Sequence, residues 1–318
     1  MALGVASPYA AGRKGASLSK PSKARLAAAD GECNPRIAWS RPLFRWAGSK
    51  RAIVPLLLRS IPAAYGKYVE PFAGSACLFF ALRPTRAVLG DFNTELMHAY
   101  GVVCRHPRRV ARGLAALPPT TDCYYAIRSI APEQLDDLSR AVRFIYLNRY
   151  CFNGVYRTNR RNQFNVPMGT RPGRAPIESD FYRGSVALRA AKLYACDFQD
   201  TLGQAKRGDV AYLDPPYSTA VRTGLGEYGY GAFAAEDLHR LLDAVEAASR
   251  RGVCVILSYA PDKVLLDRLA DWSTVKLAVL RQVGGGSSHR GRKVEILTSN
   301  TCDLEQLLAS HSASSNAT

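Results

Sequence analysis

Acid is scarce in this sequence of 318 residues: 26 Asp and Glu stand against 43 Lys and Arg, a formal net charge of +17. An excess that large points to a polyanionic partner, most often nucleic acid, although a genome that favours Arg yields the same bias. Long apolar runs are missing too. The longest, such as Ala76 to Leu82, fall far short of the ~20 residues that span a bilayer. The eight cysteines are scattered, at 33, 77, 104, 123, 151, 196, 254 and 302. None forms a Cys-x-x-Cys pair, which excludes zinc-ligand spacing and a dithiol redox motif. Scattered singles read as small core residues in a reducing compartment. The first twenty residues hold no compact apolar stretch of the kind a secretory signal needs. They admit a transit peptide but fit a basic arm better. The expectation is a cytoplasmic, nucleoid-associated protein.

What is present is an ordinary globular balance, 47% hydrophobic and 22% charged. Residues 1–40 are Ala-, Ser-, Lys- and Arg-rich without periodicity and read as a disordered basic arm; 303–318 read as a flexible tail. Between them lie seven short apolar runs: Tyr68–Phe72, Arg86–Gly90, Lys192–Cys196, Asp209–Leu213, Val253–Ser258, Val275–Leu280 and Val294–Thr298. They have the form of buried strands in a mostly parallel sheet. Helical patterns alternate with them at Cys77–Leu82, Glu95–Cys104, Glu236–Arg251 and Asp262–Leu269. The alternation predicts a doubly wound α/β domain over 41–104 and 184–302, whose ligands bind beyond the carboxyl ends of the strands. Residues 105–183 break the pattern, first helical and then loop-rich. From Asn148 to Gly169 the chain mixes aromatics, amides and arginines with no acid, and it reads as an inserted recognition module rather than core.

Three motifs carry candidate chemistry. Asp214-Pro215-Pro216-Tyr217 follows the run Val210–Leu213. Two prolines cannot continue a central strand, so they force a rigid turn at its end. That turn fixes the Asp214 carboxylate and the Pro215 carbonyl as acceptors beside an aromatic ring. The set suits an exocyclic amine on a stacked, flipped-out base; the lesser alternative is a strand-ending turn with a capping Asp. The second motif, Glu70-Pro71-Phe72-Ala73-Gly74, lies between a strand and a helix, and Asp91 ends the next strand. A Gly at such a turn lets backbone approach a ligand, and an acid at that place binds ribose hydroxyls; a tight turn plus a cap reads as well. The third, Trp46-Ala47-Gly48-Ser49-Lys50, could hold a ligand carboxylate or plug the core.

In content and order these motifs resemble the DNA adenine methylase (Dam) family of S-adenosylmethionine (AdoMet)-dependent amino-methyltransferases. The resemblance spans about residues 41–302 and includes Asn148-Arg-Tyr-Cys-Phe-Asn-Gly154, Phe164-Asn-Val-Pro167 and Arg292-Lys-Val-Glu-Ile-Leu297. It departs where the family usually has a second Gly, here Ala76, and a Gly-Gly-Lys, here Gly48-Ser49-Lys50. It implies a Rossmann-like seven-stranded sheet and a monomeric enzyme. It implies AdoMet as methyl donor, no metal, and the N6 amino group of adenine in double-stranded DNA as acceptor. Asp214, Pro215 and Tyr217 would hold the flipped adenine. Trp46, Lys50, Phe72, Gly74, Asp91 and Asp214 would line the AdoMet pocket, with Asp197 at its adenine end. Phe152, Asn153, Val155 and Arg157 match the recognition segment, with Arg160 and Arg161 beside it as phosphate contacts. Arg157 would read a guanine, and the match of Arg157 and Val155 suggests a GATC-like site. A cognate restriction endonuclease is a further partner such an enzyme can have. Two rivals stay open: an AdoMet methyltransferase acting on RNA or another amine, and a DNA-binding protein with a decayed site.

Overall fold

The strongest apolar runs become the middle of a sheet. In the computed structural model, which describes residues 42–159, 161, 163–170, 174–216, 233, 235–280 and 292–308, the chain opens with a 3-10 turn, Lys50–Ile53, and helix α1, Val54–Ser60. Strand β1 (Tyr68–Glu70), helix α2 (Cys77–Leu82), strand β2 (Ala87–Asp91) and helix α3 (Thr94–Arg105) follow. Helices α4 (Pro107–Ala115), α5 (Thr121–Ser129), α6 (Asp137–Tyr150) and α7 (Glu178–Leu188) then intervene before β3 (Ala191–Ala195) and α8 (Phe198–Gly203). The chain ends with β4 (Val210–Leu213), α9 (Ala235–Arg250), β5 (Cys254–Tyr259), α10 (Lys263–Arg268), β6 (Ser273–Leu280) and β7 (Arg292–Ser299).

The seven strands lie in the order β3-β2-β1-β4-β5-β7-β6. Neighbours from β3 to β5 pair parallel, and β7 pairs antiparallel with both β5 and β6. This is a Rossmann-like α/β sheet, as the alternation predicted. Strands β1, β4 and β5 are buried at every residue, whereas β3 at the edge is only partly covered. Hydrophobic burial explains the difference: helices cover both faces of the central strands, and each fully buried Leu, Val or Phe contributes about 1.5–3 kcal/mol. On one face Leu238, Leu241, Leu242 and Val245 of α9 join Leu202 of α8 against Val69, Ala211 and Val255 of the sheet.

Sequence order reverses between β1 and β4. The chain moves outward from β1 to β2 and β3, then returns to β4 on the other side. A crevice opens at such a switch point beyond the carboxyl ends of the strands. The segments leaving β1 and β4 are the Glu70–Gly74 and Asp214–Pro216 motifs.

Three expectations differ from the structure. The loop-rich stretch beginning at Asn148 is a hairpin-like arm with antiparallel bridges Cys151–Met168 and Thr158–Phe164. Part of it is core: Cys151, Phe164 and Val166 are buried, because the arm turns one apolar side onto the helices. The expected boundary at 183/184 falls inside α7. The tail expected from 303 begins with a helical turn over 304–308, with Leu304 fully buried and its N–H donating to Ser273 Oγ at 3.0 Å. The basic arm over 1–40 and residues 309–318 lie outside the described residues. Among the described residues, no helix is long and apolar enough to cross a membrane.

Candidate active site at the strand ends

Asp214, Pro215 and Pro216 directly follow β4, where proline stops the ladder. Pro215 is buried and Asp214 half-buried. Tyr217, the fourth residue of that motif, lies outside the described residues. The Asp214 carboxylate meets Lys50, whose Nζ is 2.7 Å from Oδ1. Lys50 is buried, and its ammonium also lies 3.6 Å from Glu295 Oε2 on β7. Two motifs expected to share a pocket are therefore in contact. Glu295 was named only as part of a C-terminal motif, and no pattern in the sequence assigns it to this lysine.

The second motif closes on Asp91. Gly74 N–H donates to Asp91 Oδ2 and Asn93 N–H to Oδ1, both at 2.9 Å. The Gly74 carbonyl accepts from the Tyr100 hydroxyl at 2.8 Å. Gly74 has φ +46, and a Cβ built on it would stand 2.7 Å from Trp46 Cδ1. This position requires glycine twice over, for its backbone conformation and for the indole against it. Burial pushes the Asp91 carboxyl up to about 6, against the two backbone N–H donors that pull it down. The next residue, Phe92, is 77% exposed. This exposed ring beside a strand-end carboxylate was not among the residues singled out in the sequence.

Glu70 is a buried carboxyl close to both acids. The Tyr68 hydroxyl donates to its Oε2 at 2.9 Å. Burial pushes Glu70 well above the usual carboxylate range, against the pull of the Tyr68 bond, and the charges of Asp214 and Asp91 add to the push. Phe72 stacks on Phe198 with ring centroids 5.2 Å apart. Asp197 caps α8 by accepting from Gln199 N–H at 2.9 Å, and its Oδ2 takes Arg240 Nη2 at 3.0 Å. It is committed to a cap and an ion pair.

The hairpin-like arm reaches the third motif. Trp46 stacks on Tyr156, with centroids 6.1 Å apart and planes at 17°. Buried Asn148 holds the Arg45 backbone at both ends, accepting from its N–H at 2.9 Å and donating to its carbonyl at 2.6 Å. A Cβ on Gly154 (φ +68) would come within 2.6 Å of Arg45 Cβ. Neither Asn148 nor Tyr156 was assigned this clamping role from sequence, because the signal is a contact across the fold.

On the arm, Arg157 Nε donates to Asn165 Oδ1 at 3.1 Å, and Asn165 N–H donates to the Arg157 carbonyl at 3.2 Å. Phe152 is 40% exposed, Asn153 takes φ 55, and Val155 is half-buried. Arg161 is exposed with its N–H on Asn159 Oδ1 at 2.9 Å. Arg160 lies outside the described residues.

A Rossmann-like sheet that reverses order between β1 and β4, with a carboxylate set by two prolines at the end of β4, is consistent with a methyltransferase architecture. Comparison with known proteins makes it specific. Residues 46–284 match the D12 class N6 adenine-specific DNA methyltransferases. The chain is 31% identical over 270 residues to the Type II methyltransferase M1.LlaDCHI of Lactococcus lactis subsp. cremoris, covering 82% of this chain and 95% of that one. It is 31% identical over 224 residues to the DNA adenine methylase of Escherichia coli (strain K12), covering 69% and 80%. It is 27% identical over 260 residues to the Retron Ec67 DNA adenine methylase of Escherichia coli, covering 80% and 90%. The chain belongs to the D12 class N6 adenine-specific DNA methyltransferases.

Proposed function

We propose that this enzyme binds AdoMet in the crevice between β1, β2 and β4 and methylates the N6 amino group of an adenine flipped out of duplex DNA. The observation that carries this reading is the meeting of Asp214 and Lys50 beside the Gly74–Asp91 turn. Together they make one pocket with an amine acceptor at one end and a hydroxyl acceptor at the other. The residues fit the cofactor. The missing side chain of Gly74 lets the Trp46 indole close onto the turn as one wall of the site. Asp91 keeps a second lone pair on each oxygen for ribose hydroxyls. Phe92 offers a ring to an adenine, Phe72 lines the floor, and Asp197 with Arg240 borders the adenine end. Lys50 borders the site through its salt bridge to Asp214.

When bound, AdoMet supplies an electrophilic methyl group on a sulfonium. Asp214 and the Pro215 carbonyl accept hydrogen bonds from the adenine amino group. Their effect is to draw nitrogen lone-pair density out of ring conjugation and aim it at the methyl carbon. That nitrogen would take the methyl group as its bond to sulfur broke, leaving a neutral thioether, and the surplus amino proton would pass to water. Positioning and fixed electrostatics carry the rate. Tyr217 is assigned to stack on the base. Asp91 gives the reading a pH signature. A protonated carboxyl is a poorer acceptor for ribose hydroxyls, so AdoMet binding should be flat above pH 7. Its Kd should rise by up to about tenfold per unit below the titration near 6. Calorimetry from pH 5 to 8 checks this, and a flat profile through pH 5 is the contrary result.

Residues 105–183 form the proposed recognition module, joined to catalytic parts 41–104 and 184–302. Phe152 is placed to fill the gap left by the flipped base, Asn153 and Val155 to line it, and Arg160 and Arg161 to meet phosphate. Arg157 is assigned a guanine within a GATC-like site. Its Nε is spent on Asn165, and among the described residues its terminal nitrogens have no other bond, which leaves a fork for a base edge. Arg157→Ala should cost about 1–3 kcal/mol and relax preference at one base pair, whereas loss of Arg161 should weaken all sequences alike. Rates on single-base site variants over a salt series separate the two. Because cofactor, base and recognition residues all come from one chain, we assign a monomer, acting on the cytoplasmic nucleoid. The name of the Lactococcus relative, Type II methyltransferase, supports a role opposite a restriction endonuclease of the same specificity. The function itself is tested with methyl-labelled AdoMet and plasmid: label should appear on adenine N6 of duplex DNA. Label confined to cytosine, or to structured RNA, would overturn it.

A further inference from the structure

We propose that Glu295 is a positioning residue for methyl transfer, holding Lys50 as a shared counterion so that Asp214 can turn its lone pairs to the base. The proposal rests on the assignment of Asp214 as acceptor for the adenine amine. Lys50 Nζ lies between two carboxylates, 2.7 Å from Asp214 and 3.6 Å from Glu295. The three groups are not equally placed. The side chain of Asp214 is 20% exposed toward the crevice, while those of Lys50 and Glu295 are 3% and 4% exposed. Glu295 therefore sits behind the lysine, and Asp214 in front of it.

This order has a chemical consequence. An ammonium bonded to Asp214 withdraws charge from the carboxylate that must accept from the base, and occupies one of its lone pairs. A buried ammonium does not relinquish its only carboxylate, because a charge left unpaired out of water is costly. Glu295 removes that obstacle. It gives the ammonium a second seat within the same buried space, so the Lys50–Asp214 bond can lengthen when the amino group arrives. Strand β7 makes the arrangement rigid. Residues Ile296 to Ser299 pair with β5, and Glu295 itself stands opposite Leu277 of β6. A carboxylate held on a doubly paired strand cannot follow the lysine, so the lysine moves between fixed partners.

Glu295→Gln keeps the shape and removes the charge. Without the Glu295 charge, Lys50 should lock onto Asp214. At saturating AdoMet and duplex, the single-turnover methylation rate should fall on the order of tenfold. The Kd for AdoMet should stay within about threefold, since the Gly74–Asp91 turn does not involve Glu295. In a Lys50→Gln background, adding Glu295→Gln should change the rate by less than about twofold, because the group it acts through is gone. A wild-type rate in Glu295→Gln overturns the proposal, and so does an equal loss in both backgrounds, which would make Glu295 merely structural. If Glu295→Gln fails to fold, Glu295→Asp retains the charge but withdraws it by one methylene. It is expected at about a third of the wild-type rate, and a rate at or above wild type is contrary. Asp214→Asn run alongside distinguishes the two layers: full activity there removes the underlying reading, whereas loss there with normal Glu295→Gln removes only this one.

Discussion

Replacing Asp214 with alanine should lower the single-turnover methylation rate by about 10²–10³-fold, the loss typical of one fixed charge-stabilising group. The effect belongs mostly to the chemical step. An adenine amino nitrogen is a poor nucleophile because its lone pair is conjugated into the ring, and the two acceptors proposed at the end of β4 would act by changing its geometry. Alanine leaves only the Pro215 carbonyl, which the rigid Pro215-Pro216 turn still holds in place. The rate at saturating DNA should fall together with kcat/KM, the pattern of an interaction made in the transition state. One secondary effect accompanies it. Lys50, 2.7 Å from Asp214, is left with Glu295 as its neighbouring carboxylate, and some stability is lost. Asp214→Asn controls for this: it keeps an acceptor oxygen and the side-chain shape, and it should lie between alanine and wild type. Rapid-quench transfer of labelled methyl to a duplex, with thermal melts of each variant, makes the measurement. A rate within a few-fold of wild type in Asp214→Ala would remove this carboxylate from the reaction.

The sheet was readable because its signals are local. Val210–Leu213 and Val253–Leu257 are short continuous apolar runs of the form that buried strands take. The prolines after Asp214 mark a strand end by chain geometry alone. The site was readable as separate motifs for the same reason. Its assembly was not, because it depends on contacts between distant parts of the chain. Nothing near Trp46 says that Tyr156 will stack on it, or that Asn148 will hold the Arg45 backbone. Nothing near Glu295 says that it faces Lys50. The insertion of β7 between β5 and β6 is a matter of hairpin pairing, and apolar runs do not encode strand order. The arm after Asn148 read as loop because its amides and arginines outnumber its apolar residues. Yet Phe164 and Val166 are enough to bury one side of it. The helical turn over 304–308 was hidden in a polar tail whose one buried anchor, Leu304, carries no periodicity.

Gly74 carries the second large expected effect. Gly74→Ala should raise the AdoMet Kd by about 10²-fold and lower stability by about 2–4 kcal/mol, the sum of a left-handed backbone penalty and an overpacking cost. The neighbouring residue shows which of the two dominates. Ala76 sits at φ 48 with its own Cβ, at the position where the Dam pattern has a second glycine. The loop therefore accepts a left-handed alanine where there is room for one. At Gly74 there is none: the added carbon would stand 2.7 Å from Trp46 Cδ1 and 3.1 Å from Nε1. Moving the indole breaks its stack on Tyr156, and moving the loop breaks the Gly74 N–H bond to Asp91 and the Tyr100 bond to the Gly74 carbonyl. Either adjustment disturbs a group assigned to the cofactor, so affinity should fall further than stability alone explains. Calorimetric titration with AdoMet, well below the melting temperature of the variant, isolates that part. Wild-type affinity in folded Gly74→Ala would show that the turn after β1 supports the fold without cradling the methyl donor.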